Sequence, residues 1–436
     1  MKNSKLFQHR EFCTARRHLK LPANLTAETI ALRWVHSVSG PLTGIRVLEL
    51  GSFIAGPFAG QLLGDYGAEV IKVEPPIVGD PMRKWGHCDD EGNSYWWPAI
   101  ARNKQSVAIN LRSDEGREVV RRLARQSDVV LENFTPGRLA EWHLGYNDLI
   151  EDNPGLIMTH VSGFGQTGPR ATDPGFGSIG EAMGGIRHTT GWPDRQSTRA
   201  GISLGDAIAS LFAVIGTMAA LNERQRSGKG QEVDVAIYEA VFALMESTVA
   251  DFELGGHIRG RTGSVLPGVA PSNVYPTADG ADVLIAGNAD AIFRRICEAM
   301  KQPELLEDPR YVDHEHRGAN QKELDDLIGQ WTATFAVDDL EALLDEHAIP
   351  YGRIFTAPDM LSDPQFAARE LIKRYEDQVL GQQVPMAAPV PMFSRTPGDI
   401  GSTGPKLGQH TEQILHQVAG YSSEQIAKMR SEGVVA

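Results

Sequence analysis

Cysteine is scarce in this chain. Of 436 residues only three are cysteine, Cys13, Cys88 and Cys297. They lie far apart and form no C-x-x-C pair, so neither a disulfide framework nor a zinc site is expected, and a reducing compartment fits. Basic excess is also missing. The 42 Lys and Arg residues face 56 Asp and Glu, a formal net charge of −14. Such a balance excludes general affinity for nucleic acid or an anionic membrane, because phosphate binding needs a basic surface. An anionic ligand would need a local basic pocket. No apolar run is expected to reach the ~20 residues that cross a bilayer. Internal repeats and low-complexity tracts are absent as well.

What remains is the composition of an ordinary globular enzyme-sized chain, 41% hydrophobic and 22% charged. Its length exceeds what one core usually supports, so two domains, or one with a large insertion, are expected. Residues 1–40 stand apart: Lys2, Lys5, Arg10, Arg16, Arg17 and Lys20 meet one acid, Glu11, before Glu28. With no apolar h-region this is not a secretory signal. A loosely packed extension and a mitochondrial-type transit peptide both fit, so cytoplasmic placement has mitochondrial placement as its alternative.

From Gly44 short apolar runs alternate with helical stretches. Residues 45–50 and 68–74 read as buried strands around a helix at 56–66 that Pro57 opens. Strands at 106–111, 128–134, 156–162 and 231–237 continue the pattern, and Ser113 with two acids opens a helix at 114–125. The alternation predicts an α/β fold, a doubly wound, mainly parallel sheet of Rossmann-like type. A second long helix is expected at 238–254. Glycine and proline then crowd residues 256–272, which reads as a linker, with a lid at 260–268 as the alternative. Beyond it a smaller α+β domain is expected at 273–380, with a hairpin around Asp279-Gly280 and a helix at 321–335. A return segment over 381–436 follows the large domain of 41–255 and the small one, with a proline-rich lead at 384–397 and helices at 410–419 and 422–430.

One stretch organises the chain chemically. Thr198-Arg199-Ala200-Gly201-Ile202-Ser203-Leu204-Gly205-Asp206 runs into a helix whose Ile208, Leu211, Phe212, Ile215, Met218 and Ala219 recur at helical spacing. Asp206 is expected at or near the N-cap, where the helix would favour its ionised form and Gly205 would leave it approachable. An ionised, approachable carboxylate is a usable nucleophile; the plain alternative is a helix cap. Gly163-Phe164-Gly165-Gln166-Thr167-Gly168 matches G-x-G-x-x-G, but Pro169 and Asp173-Pro174-Gly175 stand where the phosphate-binding helix should open, so a turn is expected. Ser227-Gly228-Lys229-Gly230 lacks the spacing of a Walker loop and reads as a helix exit.

Several separated motifs together resemble one family. Gly44-Ile45-Arg46-Val47-Leu48-Glu49-Leu50 with Ala55-Gly56-Pro57, Gly67-Ala68-Glu69-Val70-Ile71-Lys72-Val73-Glu74 with Gly79-Asp80, Asn103-Lys104, Glu132-Asn133-Phe134 with Pro136-Gly137, Gly205-Asp206 and Leu407-Gly408-Gln409-His410-Thr411 follow the order found in class III CoA-transferases, the group of formyl-CoA transferase and carnitine CoA-transferase. The resemblance spans roughly residues 41 to 415. It implies a two-domain subunit interlocked with a second copy as a ring-like homodimer. It also implies a covalent role for Asp206, which would carry CoA as a thioester between an acyl-CoA donor and a carboxylic acid acceptor. Acyl-CoA thioesters are then substrates, with no permanently bound cofactor and no metal. By matching position Lys72, Arg83, Arg102 and Lys104 are the candidate cations for CoA, with Gly205 beside the nucleophile; the plain reading of each cation is an exposed, solubilising charge. Ile54 and Phe176-Gly177 replace the glutamine and the Tyr-Glu pair of formyl-CoA transferase. The acceptor is therefore expected to be another organic acid, such as a C4 to C6 dicarboxylate.

Two alternatives share this pattern: a non-catalytic acyl-CoA-binding homologue and an acyl-CoA racemase. Racemisation needs acid/base groups on both faces of the alpha carbon. Where alpha-methylacyl-CoA racemase carries Gly-His-Asp, this chain reads Gly175-Phe176-Gly177, and phenylalanine holds no proton. His188 is the nearest histidine, and nothing in the motif places it over the substrate. A 2-methylacyl-CoA incubated with the protein in D₂O is therefore expected to gain no alpha deuterium, as followed by mass spectrometry. Rapid incorporation without any acceptor acid would reverse the choice.

Overall fold

The computed structural model describes residues 39–436. The extension expected at residues 1–40 lies outside the described residues except for its last two. Six strands form the main sheet: β1 (Arg46–Glu49), β2 (Glu69–Glu74), β3 (Lys104–Ala108), β4 (Val129–Glu132), β5 (Ile157–Ser162) and β6 (Glu232–Ala236). Their order is β3-β2-β1-β4-β5-β6, and every pairing is parallel. The strands are apolar because both faces are covered. Val47, Val70, Val129 and Leu131 pack toward the helices Ala55–Asp65 and Leu204–Ser227, while Leu48, Ile71, Val107 and Val130 pack toward the helix Asp114–Arg125. The strand order reverses between β1 and β4, which opens a crevice at their carboxyl ends.

Through residue 236, each of these strands, and the bounds expected for the helices, falls within three residues of expectation. The helix Leu204–Ser227 exits at Gly228, whose φ of 72° is left-handed and whose N–H meets the Arg224 carbonyl at 2.8 Å. Two expectations fail nearby. The single helix expected at 238–254 is two, Ile237–Phe242 and Thr248–Gly255, interrupted where Glu246 takes φ 51°. Leu204–Ser227 also holds an 18-residue window of mean hydropathy 1.8, long and apolar enough to cross a membrane by length and composition. Counting uninterrupted apolar residues missed it because Asp206 and small polar residues punctuate the run. In the fold, Ile208, Ala209, Ala213, Ala220 and Leu221 bury one side of it against the sheet layer.

The second unit is antiparallel. Strands β7 (Ser272–Pro276) and β8 (Asp282–Ala286) form the expected hairpin, with Gly280 left-handed at its turn, and β9 (Tyr351–Arg353) joins β8. Sequence pattern missed β9, whose three residues carry no period. Tyr275, Val283, Ile285, Phe293, Leu324, Ile328, Leu340 and Leu344 make a separate core. The proline-rich lead holds a strand that was not expected: β10 (Ile372–Asp377) pairs with β11 (Gln382–Ala387), and Pro385 is tolerated because a two-stranded ribbon has only edges. The chain then returns to the large sheet. The helices Thr411–Gln417 and Ser423–Ser431 pack Ile414, Leu415, Ile426 and Met429 on the first core, and the Ala436 N–H reaches the Ala108 carbonyl of edge strand β3.

Candidate active site

The crevice is fixed from β4. The Asn133 side chain accepts the Ser52 N–H and donates to the Ser52 carbonyl, both at 2.8 Å, so the loop leaving β1 is clamped in one conformation. The helix bearing Asp206 is tied to the same loop. The Ser210 hydroxyl lies 2.7 Å from both the Asp206 and the Ala55 carbonyl oxygens. Asp206 is thereby delivered to the point where the strand order reverses.

Asp206 is the third residue of its helix, not its cap. Ser203 holds the cap position and makes no side-chain cap bond. The carboxylate is half-buried and faces the start of the short helix Gly177–Met183; a Cβ on Gly177 would stand 2.1 Å from Asp206 Oδ2. Gly177 is thus the residue that makes room for the acid. Gly205 has a different function from the one expected of it. It is buried, and a Cβ there would lie 2.9 Å from the Gly177 carbonyl and 3.0 Å from Glu181 Cγ, so it permits close helix packing rather than approach from outside.

The electrostatics also differ from expectation. Burial lifts the Asp206 pKa to about 6, the neighbouring Glu181 carboxylate adds to the rise, and Arg199 opposes it. Desolvation and a like charge outweigh the helix terminus. Glu181 is itself buried; it accepts the Gly205 N–H at 3.1 Å and pairs with Arg187 Nε at 2.6 Å. The charged groups acting on Asp206 are therefore Glu181 and Arg199, and His188 is not among them. Because the folded-state pKa is raised, the native state takes up a proton between about pH 4 and 6, and ionising Asp206 costs stability as pH rises through that window.

The four candidate cations are each engaged by an internal carboxylate. Lys72 Nζ lies 2.9 Å from Glu49 Oε1, 2.8 Å from Asp80 Oδ2 and 3.0 Å from the Gly51 carbonyl. Lys104 Nζ lies 2.8 Å from Glu49 Oε2 and 2.6 Å from the Pro57 carbonyl. Burial pushes both lysines down; at Lys72 the Glu49 and Asp80 charges overcome it, whereas at Lys104 burial prevails. Arg102 forks onto Asp65 at 2.8 and 2.6 Å, and Arg83 forks onto Glu74 while lying 3.9 Å from the Trp97 ring centre. None is a loose surface charge. Removing one partner from so buried a network costs about 3–5 kcal/mol. What it supports is the β1 loop, since Asp80 Oδ1 also accepts the Phe53 N–H at 3.2 Å.

Two glycine-rich stretches border the site. Residues 163–168 turn without opening a helix, as expected, and Gly163 packs so closely on Gly175 that a Cβ would come within 2.8 Å of it. In the 256–272 stretch, the Gly263 N–H meets the Gly191 carbonyl at 3.0 Å and Arg261 Nε meets the Trp192 carbonyl at 3.1 Å. That segment is anchored on the loop that leads to Asp206. The motifs mark Gly177 only as a lost carboxylate, not as the space Asp206 occupies, and they carry no sign of Glu181 or Arg187. Only the G-x-x-G-x-x-x-G spacing of Gly177, Gly180 and Gly184 hinted at close helix packing.

A parallel sheet with a reversed strand order, and an acid held over the reversal, define a doubly wound α/β enzyme. The model of the family described as CoA-transferase family III matches residues 42–411. The chain is 55% identical over 395 residues to the succinyl-CoA--D-citramalate CoA-transferase of Chloroflexus aurantiacus, covering 91% of this chain and 98% of that one. It is 38% identical over 397 residues to the succinyl-CoA--L-malate CoA-transferase alpha subunit of the same species, covering 91% and 92%. Among solved structures it resembles a CAIB/BAIF family protein from Brucella suis, with a TM-score of 0.78 and 36% identity over 87% of this chain and 100% of that chain. The chain belongs to CoA-transferase family III, and it is a CoA-transferase.

The geometry makes Gly177 a sharp test of the site. Gly177→Ala forces the Asp206 carboxylate to move, and displacement of a reacting group by about 1 Å costs on the order of 100-fold. Initial-rate assays are expected to show that loss with the far-ultraviolet circular dichroism spectrum unchanged. Wild-type turnover would show that the carboxylate does not depend on this glycine.

Proposed function

We propose that this enzyme moves CoA from succinyl-CoA to a small hydroxydicarboxylic acid, with Asp206 carrying CoA as an aspartyl thioester between the two half-reactions. The observation that carries the reading is the half-buried Asp206 carboxylate at the sheet's reversal point, next to Gly177 and with no short ion pair among the described residues. The names of the two relatives support the acid class: D-citramalate and L-malate are both hydroxydicarboxylates.

In the first half-reaction an Asp206 oxygen attacks the thioester carbonyl and CoA leaves as thiolate, giving a mixed anhydride. The thiolate then attacks the Asp206 carboxyl carbon, releases the donor acid, and leaves aspartyl-CoA. The acceptor carboxylate attacks that thioester, and the same two steps in reverse yield the new acyl-CoA and free Asp206. Thioester energy is conserved because water takes no part. Half-burial serves this chemistry by keeping water from the anhydride.

The same proposal includes a homodimer and cytoplasmic placement. Leu211, Ile215 and Met218 form an exposed stripe on the Asp206 helix, and Phe176, Ile179, Met183, Phe252 and Leu254 are exposed on the helices and loops nearby. A second copy covering this surface accounts for so much exposed apolar area. In this reading CoA enters at the β1 loop, where Lys72 holds the Gly51 carbonyl and Lys104 the Pro57 carbonyl from beneath, while Arg102 ties the far end of the following helix to the Ala387 carbonyl.

The reading is tested by incubating the protein with succinyl-CoA and a panel of unlabelled mono- and dicarboxylic acids and identifying new CoA thioesters by mass spectrometry. Citramalyl- or malyl-CoA is expected, and exchange with no acid would contradict the proposal. The nucleophile must be ionised, so the rate should fall as pH drops through about 6, by roughly tenfold from pH 7 to pH 5. A rate flat across that window would remove Asp206 ionisation from the mechanism.

A further inference from the structure

Several arginines on the segments that flank the Asp206 helix are already committed, Arg261 to the Trp192 and His188 carbonyls and others to acids. Arg187 is held by Glu181, Arg170 by Asp173, and Arg259 by Glu246 and Asp251. Arg199 differs. Its Nε donates to the Ala200 carbonyl at 3.1 Å and a terminal nitrogen to the Ile202 carbonyl at 3.0 Å, which folds the exposed side chain along its own loop toward the helix start. Two of the five N–H donors of a guanidinium are used in this way, and the other three are uncommitted among the described residues. The guanidinium is near enough for its charge to act on the Asp206 carboxylate.

We propose that Arg199 is the specificity residue for the second carboxylate: it holds the remote carboxylate of the acid whose other carboxyl group reacts at Asp206. The inference rests on the dicarboxylate reading above. The remote carboxylate of succinyl-CoA approaching the ionised Asp206 meets the charge of that carboxylate and of Glu181, an acceptor dianion approaching the neutral aspartyl thioester still meets Glu181, and Arg187 offsets only the latter. Without a further cation the site would favour monocarboxylates. A planar fork matches a carboxylate in two parallel hydrogen bonds, which a lysine ammonium cannot reproduce. The loop carbonyls that hold Arg199 orient that fork in advance and lower the entropy cost of binding.

The test compares wild type with Arg199→Gln and Arg199→Lys, using succinate against butyrate as acceptors and succinyl-CoA against butyryl-CoA as donors. Arg199 is exposed and its loss opens no cavity, so both variants are expected to fold. In Arg199→Gln the ratio of kcat/KM for succinate to that for butyrate should fall about 10- to 100-fold, mainly through the KM for succinate. Arg199→Lys should recover part of the preference. The acid limb of the pH–rate profile should move upward in Arg199→Gln, because the positive charge facing Asp206 is gone while Glu181 remains. A ratio within twofold of wild type would overturn the proposal. So would an equal rise in KM for both thioesters, which would make Arg199 a contact to CoA itself. A wild-type enzyme that transfers to no dicarboxylate at all would instead sink the underlying reading, a pattern distinct from either.

Discussion

The structure depends on one close approach, the Asp206 carboxylate lying where a side chain on residue 177 would otherwise be. To place an acid there, two helices must meet almost backbone to backbone. Gly205 and Gly177 permit it, and Glu181 holds the junction through the Gly205 amide. The same contact strips water from Asp206 and sets it beside a second carboxylate, and so its pKa rises toward 6. A proton is thus held more tightly than at a surface. At neutral pH the acid is ionised, poorly solvated and destabilising, which is the usual condition of a group kept for chemistry rather than for stability.

Positive charge is distributed accordingly. An acidic protein that handles anionic thioesters and acids needs local cations, yet four of the obvious ones are committed to Glu49, Asp80, Asp65 and Glu74 beneath the crevice. Their contribution is mechanical: Lys72 and Asp80 hold the Gly51 carbonyl and the Phe53 amide, and Asn133 holds Ser52 from the other side. A rigid β1 loop gives the Asp206 helix, through Ser210, a fixed surface to rest on. Among the described residues Arg199 is the cation whose charge acts on the Asp206 carboxylate, and Arg187 is held by Glu181 beside it.

Much of the large unit was legible because its strands are buried on both faces and the helix Asp114–Arg125 carries strong periodicity; the Asp206 helix does not, for Leu211, Ile215, Met218 and Ala219 of its expected buried stripe are exposed and small residues such as Ala209 and Ala213 face the core instead. Val47 and Leu48 go to opposite cores, as two-sided burial requires. The family was legible in the order of short motifs. What stayed hidden has common physical causes. The break at Glu246 is a backbone conformation with no residue signature, and β9 is too short for a period. Basic residues in motifs suggested phosphate contacts, because composition does not reveal which charges are buried: Lys72 and Lys104 read as surface cations until their strands are placed over Glu49. Long-range pairs such as Asn133 with Ser52 and Glu181 with Gly205 arise only from packing.

The central claim, that Asp206 itself carries CoA, is tested most directly by trapping. The enzyme is mixed with succinyl-CoA without acceptor, quenched with hydroxylamine, digested, and its peptides are sequenced by mass spectrometry. A hydroxamate on Asp206 is predicted, absent from Asp206→Asn, which should keep its fold because the amide is nearly isosteric and fills the same space beside Gly177. A modified residue elsewhere, or none in an enzyme that transfers CoA, would contradict the account.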